Sequence, residues 1–279
     1  MPARLHRELI GDDAAHLLLV THGIFGSGTN WRRIARQLRE QRPEWGVVLV
    51  DLRGHGRSEL GAPPHDLAAC ARDLRVLFDE LHGIEAIAGH SFGGKVVLAA
   101  RALAPTTLRQ TWMFDASPSA RPGAERDPTN TVTHVLELME RLPRSWSKRD
   151  DFIAAIVADG QPHAVAQWLA MNVVPHDDGG GSFNLRLDLA ALRAMLVDYY
   201  ARDLWDVAFD PKLPGELEVV VAERSSTVTE EDRHRLATAP PHVHFERIDA
   251  GHWLHIEAPA NMVELLARKL PTPLPVAKR

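Results

Sequence analysis

The residues of this chain best suited to nucleophilic chemistry are a serine between two glycines and a histidine near the C-terminal end. Ser91 stands in the run Gly89-His90-Ser91-Phe92-Gly93, and His252 follows the last apolar segment. A serine hydroxyl needs a base at neutral pH, and an imidazole titrates near neutrality. The pair therefore predicts covalent catalysis in which Ser91 takes up an acyl group and His252 moves the proton. His255 is the closest alternative base, but the position of His252 directly after Gly251 favours His252.

The elements around Ser91 predict how its hydroxyl is held. Residues 84–88 are typical of a strand, and residues 95–104 are typical of a helix with an apolar stripe. A serine that projects from a tight turn between strand and helix needs glycines nearby, because the backbones come close together. The helix points its free amide groups at the site, so the amide of Phe92 is expected to bind an oxyanion.

A glycine-rich turn near the N-terminus is expected to supply the second oxyanion donor. The buried-strand pattern of residues 16–21 runs directly into His22-Gly23-Ile24. The turn has neither a Gly-Lys-Ser/Thr ending nor Gly-x-Gly-x-x-Gly spacing, which argues against a nucleotide site. We therefore expect the amide of Ile24 to face the amide of Phe92.

Composition indicates an ordinary globular protein. The chain has 279 residues, of which 45% are apolar and 25% charged, and a formal net charge of −5. This charge gives no reason to expect nucleic acid or an anionic membrane as a partner. The single cysteine, Cys70, cannot form an internal disulfide. Because neither a signal sequence nor a membrane span is visible, we expect a soluble cytoplasmic protein without membrane insertion.

The order of the predicted elements indicates an α/β fold with an inserted helical lid. Strands and amphipathic helices alternate up to residue 117, which predicts a mostly parallel central sheet flanked by helices. Helical patterns then follow one another, interrupted by a glycine-rich turn at 177–182, and the sheet resumes afterwards. We therefore predict a core of residues 1–117 and 211–279 and a lid of residues 118–210. The lid side chains that could line an acyl pocket, or simply form core, are Trp146, Trp168, Trp205 and Met171.

Four motifs give the chain a resemblance to the α/β-hydrolase superfamily that covers nearly its whole length. They are His22-Gly23, Asp51-Leu52-Arg53-Gly54-His55-Gly56-Arg57-Ser58, Gly89-His90-Ser91-Phe92-Gly93-Gly94 and Gly251-His252-Trp253. The resemblance implies a Ser-acid-His triad with Ser91 and His252, an oxyanion hole of two amides, and a supporting position for Trp253. In the second motif, Asp51, Arg53 and His55 are expected to fix the loop by hydrogen bonds rather than to react.

The acid is where the chain departs from the common pattern of that superfamily. Most members carry it in the loop that here follows residues 219–222, and this loop contains no aspartate. Ser225 stands in the usual position, and Glu223 is a rival acid in the same loop. Asp249 is too close in sequence to His252 to be more than a local turn former.

Asp115 offers the carboxylate that we expect to act instead. It follows the strand pattern of residues 110–114, so its side chain is expected at the carboxyl edge of the sheet, where sites form in α/β proteins. Ser225 then becomes a hydrogen-bonding helper. In this respect the chain is similar to a branch of small bacterial and mitochondrial acyl esterases and thioesterases, whose acid follows the strand counted as sixth in the family.

The function expected from these residues is hydrolysis of a small-molecule ester or thioester with a small to medium acyl group, without cofactor or metal. A carbon-carbon bond hydrolase or a cofactor-free perhydrolase could use the same triad. A non-catalytic ligand-binding protein on a hydrolase fold is the alternative from another class. Epoxide or haloalkane chemistry is disfavoured, because Ser91 occupies the position where those enzymes have an aspartate.

Overall fold

A seven-stranded, mostly parallel sheet forms the centre of the protein. The computed structural model describes residues 1–127, 130–176 and 181–272. The strands of this sheet, in chain order, are β1 (Arg7–Ile10), β2 (His16–Thr21), β3 (Trp45–Val50), β4 (Ile84–His90), β5 (Gln110–Phe114), β9 (Glu216–Ala222) and β10 (Val243–Ile248). Their spatial order is β1-β3-β2-β4-β5-β9-β10, and only β1 pairs in the antiparallel direction. The predicted fold class, an α/β fold on a mostly parallel central sheet, is confirmed.

Helices cover both faces of the sheet. They are α1 (Arg32–Gln41), α2 (Leu67–Glu80), α3 (Phe92–Arg101), α9 (Glu230–Ala237), α10 (Leu254–Glu257) and α11 (Pro259–Lys269). Helices α1 and α11 pack together on one face, and α2 and α3 pack on the other. Strands β2 and β3 are buried along their whole length, as expected for strands covered on both faces.

A 3₁₀ turn over Gly28–Trp31, with Ser27 at its N-cap, precedes α1. The start of α3 differs from the predicted one. Helix α3 begins at Phe92 rather than at residue 95, because the glycines after Ser91 already have helical geometry. The early start brings the free amides of α3 directly to Ser91.

Between β5 and β9 the chain leaves the sheet. This segment contains α4 (Thr131–Arg141), α5 (Arg149–Ala158), α6 (His163–Leu169), α7 (Leu189–Ala201) and α8 (Trp205–Phe209). It also forms a small antiparallel sheet from β6 (Ser145–Trp146), β7 (Val173–Pro175) and β8 (Phe183–Leu185). Buried side chains of α4 and α7 share one apolar cluster with side chains of β2, β4 and α3.

Parts of the predicted lid and core fall outside the described residues. These are residues 128–129 and 177–180 of the lid and residues 273–279 of the core. A search of the described helices finds none that is long and apolar enough to cross a bilayer.

Candidate active site

Ser91 lies at the turn between β4 and α3, in a backbone conformation that residues other than glycine rarely adopt. Its φ is 53° and its ψ is −119°. The neighbouring glycines are required sterically, since a Cβ at Gly89 would overlap the carbonyl oxygen of Gly93 and a Cβ at Gly93 would overlap that of His22. The turn presents the hydroxyl of Ser91 at the carboxyl edge of the sheet.

The structure brings Ser91, His252 and Asp115 together in one hydrogen-bonded row. His252 Nε2 lies 3.0 Å from Ser91 Oγ, and His252 Nδ1 lies 2.6 Å from Asp115 Oδ2. The three residues follow β4, β10 and β5, which end at the same edge of the sheet. This is the order that a nucleophile, a base and an orienting carboxylate would need.

Asp115 is fully buried and held by several donors. The amide of Ala222 donates to its Oδ1 at 3.1 Å, and the hydroxyl of Ser225 donates to its Oδ2 at 2.6 Å. These donors fix the orientation of the carboxylate. The predicted neighbour Ser225 thus lies against the carboxylate.

Thr227 belongs to the same cluster, although sequence reasoning passed over it. Its Oγ1 lies 3.0 Å from His252 Nδ1 and 3.1 Å from Ser225 Oγ. The only signal in the sequence is that hydroxyl residues occupy the loop from which the usual acid is missing.

The alternative residues lie elsewhere. Glu223 is exposed, and in the described part of the chain its carboxylate makes no hydrogen bond to His252. Asp249 forms an ion pair with Arg224. His255 stacks on Trp31 and lies against His90, so it does not face Ser91.

Two backbone amides are free on the other side of Ser91. Within the described residues, neither Ile24 nor Phe92 donates its amide to another protein group. Phe92 is the first residue of α3, where the helix has no internal acceptor for its amide. Both residues line a cavity together with Ser91. An oxygen bound there would face two N–H donors and the positive end of a helix.

His90 ties the loop that carries His252 to the sheet. Its Nε2 donates to the carbonyl oxygen of His252 at 2.7 Å. Burial lowers the pKa of His90 well below its ordinary value, and the neighbouring imidazoles of His252 and His255 lower it further. His90 is therefore neutral at pH 7 and acts as a fixed donor.

The loop after β3 supports the turn that holds Ile24. The Asp51 carboxylate accepts hydrogen bonds from the amides of Gly28 at 2.7 Å and Arg57 at 2.9 Å. Arg53 pairs with the buried Asp73 at 2.6 Å, and His55 Nδ1 donates to the carbonyl of Arg53. These bonds agree with the predicted structural role of this motif.

Two cavities meet at Ser91 and His252. One, here called the apolar arm, has a volume of about 200 Å³ and is lined by Phe25, Val135, Pro162, Val165 and Trp168. The other, here called the polar arm, has about 330 Å³ and is lined by Ser117, Ser119, Arg121, Asn130, Tyr199 and Tyr200. Trp253, the predicted supporting residue, lines both arms and contacts Trp168, with ring centroids 4.6 Å apart. The arrangement offers one apolar and one polar compartment on either side of the serine.

Of the four side chains that could line an acyl pocket or form core, only Trp168 lines either arm. Trp146 packs against Phe152, and Trp205 is buried beneath Arg235. Met171 is partly exposed away from the cleft. Helical spacing alone does not separate residues that line a cavity from residues of the core.

Among the described residues, one cluster has donor atoms close enough to hold a metal ion. Glu216, Glu218 and His244 lie near the amino ends of β9 and β10, whereas Ser91 follows the carboxyl end of β4. The ammonium of Lys269 pairs with Glu218 at 2.8 Å and supplies the positive charge there. This cluster is therefore no part of the cleft.

A strand, a strained serine and a helix on a mostly parallel sheet are the arrangement found in α/β hydrolases. The sequence model described as Alpha/beta hydrolase family matches residues 17–265. The chain belongs to this family.

Named relatives and solved structures agree with this assignment. The chain is 26% identical over 265 residues to a protein of Mus musculus named sn-1-specific diacylglycerol lipase ABHD11, with 92% of this chain and 81% of the relative covered. It is 27% identical over 256 residues to Esterase YbfF of Escherichia coli (strain K12), covering 91% and 92% of the two chains. A solved structure described as a marine microorganism esterase matches with a TM-score of 0.82 at 22% identity, covering 95% of this chain and 99% of that one. That last likeness concerns the fold.

Proposed function

We propose that this protein is a serine hydrolase that cleaves carboxylic esters or thioesters through an acyl-enzyme on Ser91. The observation that carries the proposal is the row Ser91–His252–Asp115, with contacts of 3.0 and 2.6 Å, beside two free amides. The names esterase and lipase among the relatives support the same class of reaction.

The first half of the proposed reaction forms the acyl-enzyme. His252 Nε2 takes the proton of Ser91 Oγ as this oxygen attacks the acyl carbonyl carbon. The carbonyl π electrons move to oxygen, and the amides of Ile24 and Phe92 stabilise the negative charge; one such donor contributes about 3 to 4 kcal/mol. The bond to the leaving oxygen or sulfur then breaks, and His252 returns the proton to it.

The second half consumes water. His252 removes a proton from water, the hydroxide oxygen attacks the acyl carbon, and the bond to Ser91 Oγ breaks as Ser91 regains a proton from His252. Asp115 holds His252 in the tautomer with a proton on Nδ1 and stabilises the imidazolium that forms twice per cycle. Ser225 orients Asp115.

Residues 118–210 are proposed to act as a lid that shapes the cleft. Side chains from α4, α6 and α7 line the two arms above Ser91. The apolar arm suits an acyl chain of small to medium length, because its walls are aliphatic and aromatic.

The proposal is tested with p-nitrophenyl and coenzyme A esters and with three variants. Ser91→Ala and Asp115→Asn are each expected to lower kcat by about 10³-fold or more, because they remove the nucleophile or the correct tautomer. Glu223→Gln is the matched control and is expected to keep nearly full activity, since Glu223 makes no bond to His252.

Three results would contradict parts of the proposal. Loss of activity in Glu223→Gln with an active Asp115→Asn would move the acid to Glu223. A wild type that turns over no ester, and whose Ser91 is not labelled by a fluorophosphonate probe, would favour a ligand-binding protein. Labelling without ester turnover would direct the search to carbon-carbon bond cleavage or perhydrolysis.

A further inference from the structure

Lys95 is a buried cation one helical turn after Ser91. It is 1% exposed, and its Nζ donates to the carbonyl oxygens of Ser119 and Tyr199, each at 2.8 Å. Within the described part of the chain, no carboxylate oxygen lies within 4.0 Å of this nitrogen. Burial lowers the pKa of Lys95 to about 8, so the ammonium is still mostly protonated at pH 7.

The position of this charge in its own helix is electrostatically unfavourable. Lys95 lies at the start of α3, where the helix dipole favours negative groups. The carbonyl of Tyr199, in contrast, belongs to the last turn of α7, whose end carries unsatisfied carbonyls and favours a cation. The ammonium also lies 4.8 Å from the centre of the Tyr199 ring, which adds a cation–π contact. The described hydrogen-bond and cation–π partners of Lys95 therefore lie in residues 118–210.

These partners are also walls of the polar arm. Ser119 stands shortly after the chain leaves the sheet at the end of β5, and Tyr199 lies in the last turn of α7. Both line the polar arm, and the Tyr199 ring contacts Phe92, the residue directly after the nucleophile, with centroids 5.8 Å apart. Neither Ser119 nor Tyr199 lines the apolar arm.

We propose that Lys95 is a positioning residue for recognition of the leaving group: it holds the carbonyls of Ser119 and Tyr199 and so fixes the shape of the polar arm. This inference rests on the proposed hydrolase function. The apolar arm receives the acyl chain, and the polar arm receives the alcohol or thiol part of the substrate. Lys95 thus acts on one half of the substrate only.

The test uses two series of esters. In the first, p-nitrophenyl esters differ in acyl length; in the second, acetates of 4-nitrophenol, 1-naphthol and 4-methylumbelliferone differ in the leaving group. Lys95→Met is expected to change the ratios of kcat/KM within the second series by about 10-fold, mainly through KM, because the arm loses its shape. The ratios within the first series are expected to stay within about twofold of the wild type.

Arg101 gives a matched control on the same helix. It is also a fully buried cation, and its described hydrogen-bond partners are all backbone carbonyls, those of Val207, Ala208, Pro214 and Gly215, which line neither arm. Arg101→Met is expected to lower stability while the ratios in both series stay unchanged. If Lys95→Met does not fold, Tyr199→Leu is measured instead, because it removes the aromatic ring that lines the polar arm next to Lys95.

The outcomes separate this inference from the proposed function. A selective change in the leaving-group series for Lys95→Met, or for Tyr199→Leu in its place, supports it. An equal loss in both series, or leaving-group ratios unchanged in the variant tested, overturns it while the hydrolase proposal stands. Absence of turnover by the wild type overturns the proposed function, and this inference with it.

Discussion

Around the imidazole of His252, two hydroxyl side chains occupy the place of the missing acid. Nδ1 lies 2.6 Å from Asp115 Oδ2 and 3.0 Å from Thr227 Oγ1. In the proposed tautomer the Nδ1 proton points to the carboxylate, so we expect Thr227 to orient the ring by contact from the side. Ser225 Oγ lies 3.1 Å from the Thr227 hydroxyl. The sequence indicated Ser91, His252 and Asp115 through their motifs, but threonine is too common in loops for Thr227 to be recognised without coordinates.

We expect Thr227→Val to lower kcat by about threefold to tenfold with little change in KM, because the hydroxyl orients the imidazole but does not react. The measurement is steady-state hydrolysis of one p-nitrophenyl ester. Thr238→Val, an exposed threonine in α9's C-terminal cap, is the control and should match the wild type. Equal activity of Thr227→Val and the wild type would show that the hydroxyl plays no part in positioning.

At the scale of elements, the strands that could be predicted are those with a continuous apolar pattern. Strands β2, β3 and β5 are wholly buried and stand out in the sequence, whereas β1 alternates between exposed and partly exposed residues at the sheet edge. Strands β6 and β7 have two and three residues, which is too short to show any periodicity. Their pairing depends on contacts between distant residues, and a local pattern does not contain that information.

Helix α7, which lines the polar arm, is capped by Asp188, whose carboxylate accepts from the amide of Ala191 at 2.9 Å. Asp188→Ala should lower the free energy of unfolding by about 1 kcal/mol, since one helix-end amide loses its acceptor. Asp188→Asn is the matched control and should lower the free energy of unfolding less, because its side-chain oxygen can still accept a hydrogen bond from the amide of Ala191. Urea denaturation of the three proteins measures this, and identical values would show that the cap contributes nothing.

At the scale of the whole molecule, four histidines are shielded from water: His22, His55 and His90 are buried, and His255 is half-buried. Burial lowers the pKa of His22, His55, His90 and His255, to about 3 for His55 and about 4 for His255. These side chains are neutral in the folded protein but take up protons in the unfolded chain below pH 6.5. The unfolded state then binds more protons, so stability falls as the pH falls from 6.5 towards the folded-state values.

The free energy of unfolding should therefore decline in mild acid. His55, with its pKa lowered to about 3 in the folded protein, should lower the free energy of unfolding by about 2 kcal/mol between pH 7 and pH 5. His55→Gln removes one such group and should show a smaller difference between pH 7 and pH 5 in urea denaturation. If the free energy of unfolding changes by the same amount between pH 7 and pH 5 in the variant and the wild type, His55 takes up its proton equally in the folded and unfolded states.

Among the described residues, three that are not glycine have positive φ: Phe25 at 64°, Ser91 at 53° and Asp115 at 44°. All three lie at the candidate site, after β2, β4 and β5. Such conformations each cost of order 1 to 3 kcal/mol and persist only where the surrounding structure enforces them. A selection for thermal stability alone would therefore favour glycine at these positions, and would remove the nucleophile and the acid in doing so. At these positions backbone strain lowers the stability of the fold, while the side chains would serve the proposed reaction. A substitution that relieves the strain at Ser91 or Asp115 would therefore raise stability only by lowering activity.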